Sequence, residues 1–410
     1  MQIKKNYNYI LNWLFIFIII VVSDDTLLFG TNLNYKFISI KYLIILVMTS
    51  ILSFKYILLR KEFAKNEFIY CIGMIILIFI SSALNGDLRL GVFYKIALLL
   101  AAFSITRKMT LYQFSYYFDS VIYILAIWSL IGFIFGIIGR GILNVLPVFE
   151  NTAGTTFYNG LLFFIPTSKE LLRNYGIFRE PGIYQMFLII ALVLQIGVLK
   201  ESRIKKIIIY IIAILATLST TGFFALAIIF ILFFMKKQGV GKRSYNIVII
   251  TCIFALILIY LIYPDIFSHV FQMVFGKLSN TKRYTTIARM GSIIINFKIF
   301  VDNIILGVGL TQLSYLFPRY CLYIYGRAFT HNTNTLLIQF ATHGVFYGIM
   351  WSYGYYSLCR KLGSNFFEVF LYISIFVILF IGENITFSLV TYIFIFYGIK
   401  KERATFNIIK

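Results

Sequence analysis

Between residues 173 and 185 the sequence reads RNYGIFREPGIYQ, which sets Arg173, Arg179 and Glu180 around Gly176, Pro181 and Gly182, just ahead of a long apolar run. Proline fits the first turn of a helix, where its missing N–H costs little. The residue before a proline favours extended backbone. Arg179 and Glu180 are therefore expected at a helix N-terminus, whose unpaired N–H groups favour an anion. Gly176 and Gly182 would let the backbone approach closely. A plain helix cap with interfacial arginines is the competing reading, but three charged groups around one X-Pro start favour a site. Further along, TTIARMGSIIINFKIFVDN carries Arg289 and places Ile287, Met290, Ile294 and Phe297 on one helical face. RAFTHNTNTLL then puts His331 and Asn332 ahead of another apolar run. His331 is the first candidate for a general base and Glu180 the second; His343 and His269 are weaker candidates.

The elements that must hold these groups are apolar helices. Sixty per cent of the 410 residues are hydrophobic, 13 % are charged, and the mean hydropathy is +0.89. Such a composition excludes an ordinary soluble domain. A span needs about 20 apolar residues to cross about 30 Å of hydrocarbon. The pattern predicts spans near 7–22, 37–54, 67–84, 90–105, 115–138, 182–199, 205–219, 221–235, 246–263, 333–357, 366–381 and 384–399. The uncharged run from Ile207 to Met235 is read as two short spans meeting at STTG, which would offer Ser219 and Thr220 to a polar pocket.

The net charge of +22 is mostly topological. Twenty-two of the 37 basic residues fall in alternate connections, which the positive-inside rule assigns to the cytoplasm together with both termini. Nucleic-acid binding is not expected. The opposite side has the short connections SDDTLLFGTN, NGDLR and GEN, and two long segments, 139–181 and 264–332. Those two hold Arg140, Lys169, Arg173, Arg179, Lys277, Lys282, Arg283, Arg289, Lys298, Arg319 and Arg327, and all five prolines lie in or beside them. Outward cationic loops point to an anionic ligand. The second loop is expected to carry an interfacial amphipathic helix, and Gly307-Val308-Gly309 is read as a tight turn. The fold expected is a single all-α polytopic membrane domain, 1–410.

An R-x-x-G-x-x-x-E-P segment before one span (Arg173, Gly176, Glu180, Pro181) and HN after a late outward loop (His331, Asn332) resemble the O-antigen polymerase (Wzy) and O-antigen ligase superfamily. The likeness covers about 170–350 in order and spacing. It implies about twelve transmembrane helices, a metal-independent GT-C-like architecture, a bacterial inner-membrane location and a donor glycan on undecaprenyl pyrophosphate. The chain departs from the ligase pattern at Gly222, where ligases carry arginine, and in the longer spacing from HN to Gly344, so the polymerase is favoured. A chain-length regulator and a flippase are the partners such a polymerase implies.

In that chemistry an acceptor sugar hydroxyl displaces lipid pyrophosphate, with inversion if displacement is direct. Charge developing on the leaving group needs a cationic partner. Arg173, Arg179 and Arg289 would supply it, with Gly176, Asn332, Ser219 and Thr220 completing the binding site. There is no Asp-x-Asp pattern, acidic residues number only 15, and neither a metal nor a cofactor is expected. The alternatives are a ligase acting on a final acceptor and a lipid-linked oligosaccharide flippase. A flippase should bury charges along its spans, whereas Lys95 and Asp119 are expected near span ends and Lys41 close to the surface. A metal-dependent lipid-phosphate sugar transferase using Asp24 and Asp25 ranks last.

Overall fold

A computed structural model describes residues 2–24, 26, 35–53, 55, 65–151, 154–168, 172–199, 204–235, 284–326 and 331–401. The expected span at 246–263, and His269, Asp25, Lys169, Lys277, Lys282, Arg283 and Arg327, lie outside the described residues.

The first half of the chain is helical, with α1 Gln2–Val22, α2 Tyr35–Ser53, α3 Lys65–Leu84, α4 Leu90–Lys108, α5 Leu111–Ile138 and the single turn α6 Arg140–Leu143. After a small sheet come α7 Pro181–Leu194, which continues as a π-turn through Gln195–Leu199, then α8 Ile204–Ala216 and α9 Thr220–Met235. Tyr284–Asp302 forms α10 and Leu310–Tyr325 forms α11; α12 Thr335–Leu362, α13 Phe366–Gly382 and α14 Leu389–Ile399 complete the body. Four helices among the described residues, α3, α4, α5 and α7 with its π-turn, are long and apolar enough to cross a membrane. The chain is thus a helical protein of membrane type. The expected hairpin is present: α8 and α9 meet at 217–219, where Ser219 precedes the first residue of α9.

Helix α7 is buried along its whole length and packs against α5, α8, α9 and α13. A second buried helix, α14, packs against α12, α4 and α1. Many basic residues gather at the pole where α4, α12 and α14 end. There Lys400 bonds the Thr106 carbonyl and Lys361 donates to Tyr397 O at 2.5 Å. The opposite pole holds the starts of α7, α9 and α12 and the ends of α1 and α13.

Two findings correct the expected loops. Segment 139–181 is not wholly irregular: β1 Val148–Glu150, β2 Thr156–Asn159 and β3 Phe164–Pro166 form an antiparallel sheet, so the chain is not purely α-helical. Phe149, Phe157 and Phe164 pack together on that sheet, and Phe157 meets Tyr175 edge-on with 5.1 Å between centroids. The described part of the second segment is a helical pair, with Pro318 inside α11. On α10, Met290, Ile294 and Phe297 are exposed, as a face turned towards lipid would be.

Gly307-Val308-Gly309 does more than turn. Helix α12 is broken at Gly344, whose φ is +77°. The carbonyls of Ala341 and Thr342 accept instead from Val308 N and Gly309 N at 2.9 Å each, and Val345 N donates to Ile304 O at 2.8 Å. A Cβ on Gly344 would lie 2.0 Å from Ile305 O, and one on Gly307 would lie 2.5 Å from the Thr342 carbonyl carbon. Beside the break, fully buried Lys95 donates to Gln339 Oε1 at 2.8 Å, and both His343 nitrogens lack a hydrogen-bond partner. Buried Asp119 receives Gln195 Nε2 at 2.7 Å, Tyr210 Oη at 2.8 Å and Lys206. Lys95 lies near the start of α4, Asp119 stands eight residues into α5, and Lys41, Lys95 and Asp119 are all buried rather than facing a surface.

Gly344→Ala should therefore cost about 1–3 kcal/mol through the left-handed backbone alone, with the clash added. The expected result is a melting temperature for the purified protein well below that of wild type.

Candidate anion site

Residues 172–180 are held in place by the sheet on one side and the α8–α9 hairpin on the other. Phe164 N donates to Gly176 O, and Asn174 N to Ala216 O, both at 3.0 Å. Gly176 has φ +56°, and a Cβ there would lie 3.0 Å from the Tyr184 ring, so glycine is required twice over. Asn174 Nδ2 donates to Ser129 Oγ at 3.1 Å, and that hydroxyl also meets Tyr184 Oη at 2.7 Å. Arg173 forks onto the hairpin tip, with Nε on Thr217 O at 2.8 Å and Nη2 on Leu218 O at 3.2 Å. Those carbonyls lie in the turn that follows α8, so the fork fixes the hairpin tip. Desolvation lowers the proton affinity of Arg173, while neighbouring Tyr175, Glu383 and Glu180 raise it again.

Glu180 is the extended N-cap residue of α7 (φ −140°, ψ 143°), and Pro181 is the first helical residue, as the X-Pro sequence predicts. The next residue, Gly182, carries the floor of the pocket. A Cβ there would lie 1.8 Å from Glu383 Oε1, so the carboxylate rests directly on the α7 backbone. Glu383 follows the end of α13, and its own carbonyl accepts from Thr335 Oγ1 at 2.5 Å; the same hydroxyl accepts from Ile385 N at 2.8 Å.

Two guanidiniums cover this floor. Arg289 Nη1 donates to Thr220 Oγ1 at 3.0 Å, and Nη2 stands 3.8 Å from Glu383 Oε1. Arg179 pairs its Nε with Asp24 Oδ1 at 3.3 Å and donates from Nη2 to Asn384 O at 3.1 Å. The Arg289 and Arg179 side chains are 38 % and 33 % exposed, against 5 % for Glu383 and 6 % for Asp24, so the cations face out and the carboxylates lie behind them. Burial pushes the Glu383 carboxyl up to about 7; Arg289, Arg179 and Arg173 pull against that rise and Glu180 adds to it.

Of the residues singled out from the sequence, Arg173, Arg179, Glu180, Arg289, Gly176 and Thr220 come together at this pole. Ser219 Oγ meets Thr221 Oγ1 at 2.9 Å, and Thr221 in turn accepts from Gln185 Nε2 at 3.2 Å. Asn332 makes reciprocal amide bonds with Asn296 at 2.8 and 2.9 Å, and its carbonyl accepts from Asn384 Nδ2 at 3.0 Å. Asn332 therefore ties α10 to the α13–α14 connection. His331 is exposed, and its imidazole forms no hydrogen bond with the described residues. His343 lies eight residues into α12, buried within the helical body.

Sequence reasoning missed Glu383, Asn384 and Asp24's role. GEN and SDD each read as short, cation-poor connections. A signal was available in GEN: an acidic residue between two strongly apolar runs has no solvated face to occupy. No group of three or more His, Cys, Asp or Glu able to hold a metal occurs among the described residues.

The site sets two part-exposed guanidiniums, on Arg179 and Arg289, in front of a buried carboxylate, and such cations attract anions. Arg173→Lys should release the 173–178 loop from the hairpin, because an ammonium cannot span both carbonyls. The expected cost is about 1–2 kcal/mol, read as faster proteolysis within 172–180 and a lower melting temperature. Neither the family models nor the curated proteins contain a match to this chain.

Proposed function

We propose that the protein polymerises lipid-linked oligosaccharide repeat units at the outer face of the bacterial inner membrane. The observation that supports this reading best is the convergence of Arg173, Arg179 and Arg289, from two separate segments, around one pocket at the start of buried α7. In this reading the chain has about twelve spans, a GT-C-like architecture, both termini in the cytoplasm and the arginine pole outside. The donor is an undecaprenyl-pyrophosphate-linked glycan, with a chain-length regulator and a flippase as partners.

The chemistry follows from the charges. The acceptor hydroxyl attacks the anomeric carbon and passes its proton to the general base, His331 or Glu180, while the bond to the lipid pyrophosphate breaks and its electron pair leaves on the phosphate oxygen. Arg179 and Arg289, held from behind but open in front, meet that developing charge in a partly dry site. Asp24 and Glu383 are the carboxylates paired with these guanidiniums, at 3.3 and 3.8 Å, and His331 is exposed, next to the Asn332 that bonds Asn384.

One observation favours a different class. A broken helix beside a buried lysine and histidine is the kind of feature that lines transport pathways, and α12 with Lys95 and His343 has it. A lipid-linked oligosaccharide flippase is therefore the second reading.

A glycan ladder from a deletion strain, with and without the gene restored, separates them. Single repeat units on the surface acceptor after deletion support the polymerase, and long glycan stranded on the carrier supports a ligase. Single lipid-linked units trapped on the cytoplasmic face would overturn the polymerase for the flippase. In the complemented strain, Arg179→Ala, Arg289→Ala and His331→Ala should each reduce polymer by roughly 100-fold.

A further inference from the structure

The arrangement at the pocket floor raises a problem for any polyanion that binds there. Arg289 is shared between Thr220 and Glu383, and Arg179 between Asp24 and the Asn384 carbonyl. A diphosphate arriving from the open side would take the outward faces of both guanidiniums. It would then stand opposite the Glu383 carboxylate across a single layer of cations and weaken the attraction that keeps that carboxylate ionised.

On the α7 side Glu383 has no room to move. Oε1 sits against the Gly182 backbone, where even a methyl group would overlap it at 1.8 Å. Its main chain is pinned through Thr335 Oγ1, which bonds both Glu383 O and Ile385 N. Arg173, Arg179, Glu180 and Arg289 act on it electrostatically, and Asp24 faces Arg179 from the end of α1. Of these, Glu180 opposes its charge just as an incoming anion would. With the side chain 5 % exposed and pressed against the α7 backbone, the relief open to it is to take a proton.

We infer that the pocket binds a diphosphate group together with one proton, and that Glu383 is the group that receives it. Inference and function share the anion site, but the inference does not depend on which glycan the lipid carries. The affinity of Glu383 for a proton is already poised close to neutrality before any anion arrives. Linkage makes the effect reciprocal: protonating Glu383 tightens diphosphate binding, and binding raises the affinity for the proton. The donor would thus be held more firmly on an acidified outer face and let go as pH rises.

The test is titration of the purified full chain in lipid nanodiscs with inorganic pyrophosphate, by calorimetry in two buffers of different ionisation enthalpy. Pyrophosphate titrates by itself, so the quantity read is the difference between wild type and Glu383→Gln. At about pH 8, wild type should take up about one more proton per pyrophosphate bound than Glu383→Gln. Glu383→Gln should bind roughly tenfold tighter there and converge with wild type on acidification. Equal proton uptake by the two proteins would overturn the inference, and binding that still needs Arg179 and Arg289 would leave the anion site standing. Binding unaffected by Arg179→Ala and Arg289→Ala would overturn both. Melting temperatures of each variant, and wild-type proton uptake measured on its own, guard against a misfolded Glu383→Gln.

Discussion

A carboxylate laid on a helix backbone and capped by arginines is the constraint around which one pole of this molecule is arranged. Burying an ionised carboxylate costs several kcal/mol unless other groups compensate it. The compensation comes from Arg289 on α10, Arg179 and Arg173 before α7, and Thr335 on α12, which fixes the backbone. Each of these needs its own support. Arg173 is aimed by the α8–α9 hairpin, Arg179 by Asp24 at the end of α1, and Arg289 by Thr220 at the start of α9. Glycine at 182 is the condition that lets the carboxylate approach at all.

Composition and local signals made the helices legible. Apolar runs located α3, α4, α5 and α7, and the Glu180-Pro181 pair located the start of α7 within a residue. The α8–α9 hairpin followed from charge alternation, since one continuous helix would have reversed everything after it, but its tip is at 217–219, two residues ahead of the expected Ser219–Gly222. Arg173, Arg179 and Arg289 stood out because cations were out of place in those segments.

What stayed hidden depends on contacts between residues far apart in the chain. The pairing of Arg289 with Thr220, and the reach of Asp24 to Arg179, leave no mark on periodicity. Glu383 was hidden by the brevity of GEN, and the sheet by strands of three or four residues, too short for alternation to register. Gly307 and Gly309 were visible as glycines, but only the break at Gly344, more than thirty residues later, gives them a partner.

That break has a bearing on how the chain is assembled in a cell. In hydrocarbon a helix cannot leave its carbonyls and amides open. The carbonyls of Ala341 and Thr342 and the amide of Val345 depend on backbone from 304–309, a stretch that leaves the ribosome before α12 does. The earlier piece must wait, and the later one cannot settle at its break until the two meet. Ser81, at the end of α3, joins the same knot through Leu306 O and Thr342 O at 2.6 and 3.0 Å. Folding of the third and twelfth helices and of the 304–309 turn is thereby made interdependent, and a ribosome stalled before residue 345 would leave that turn without its partners.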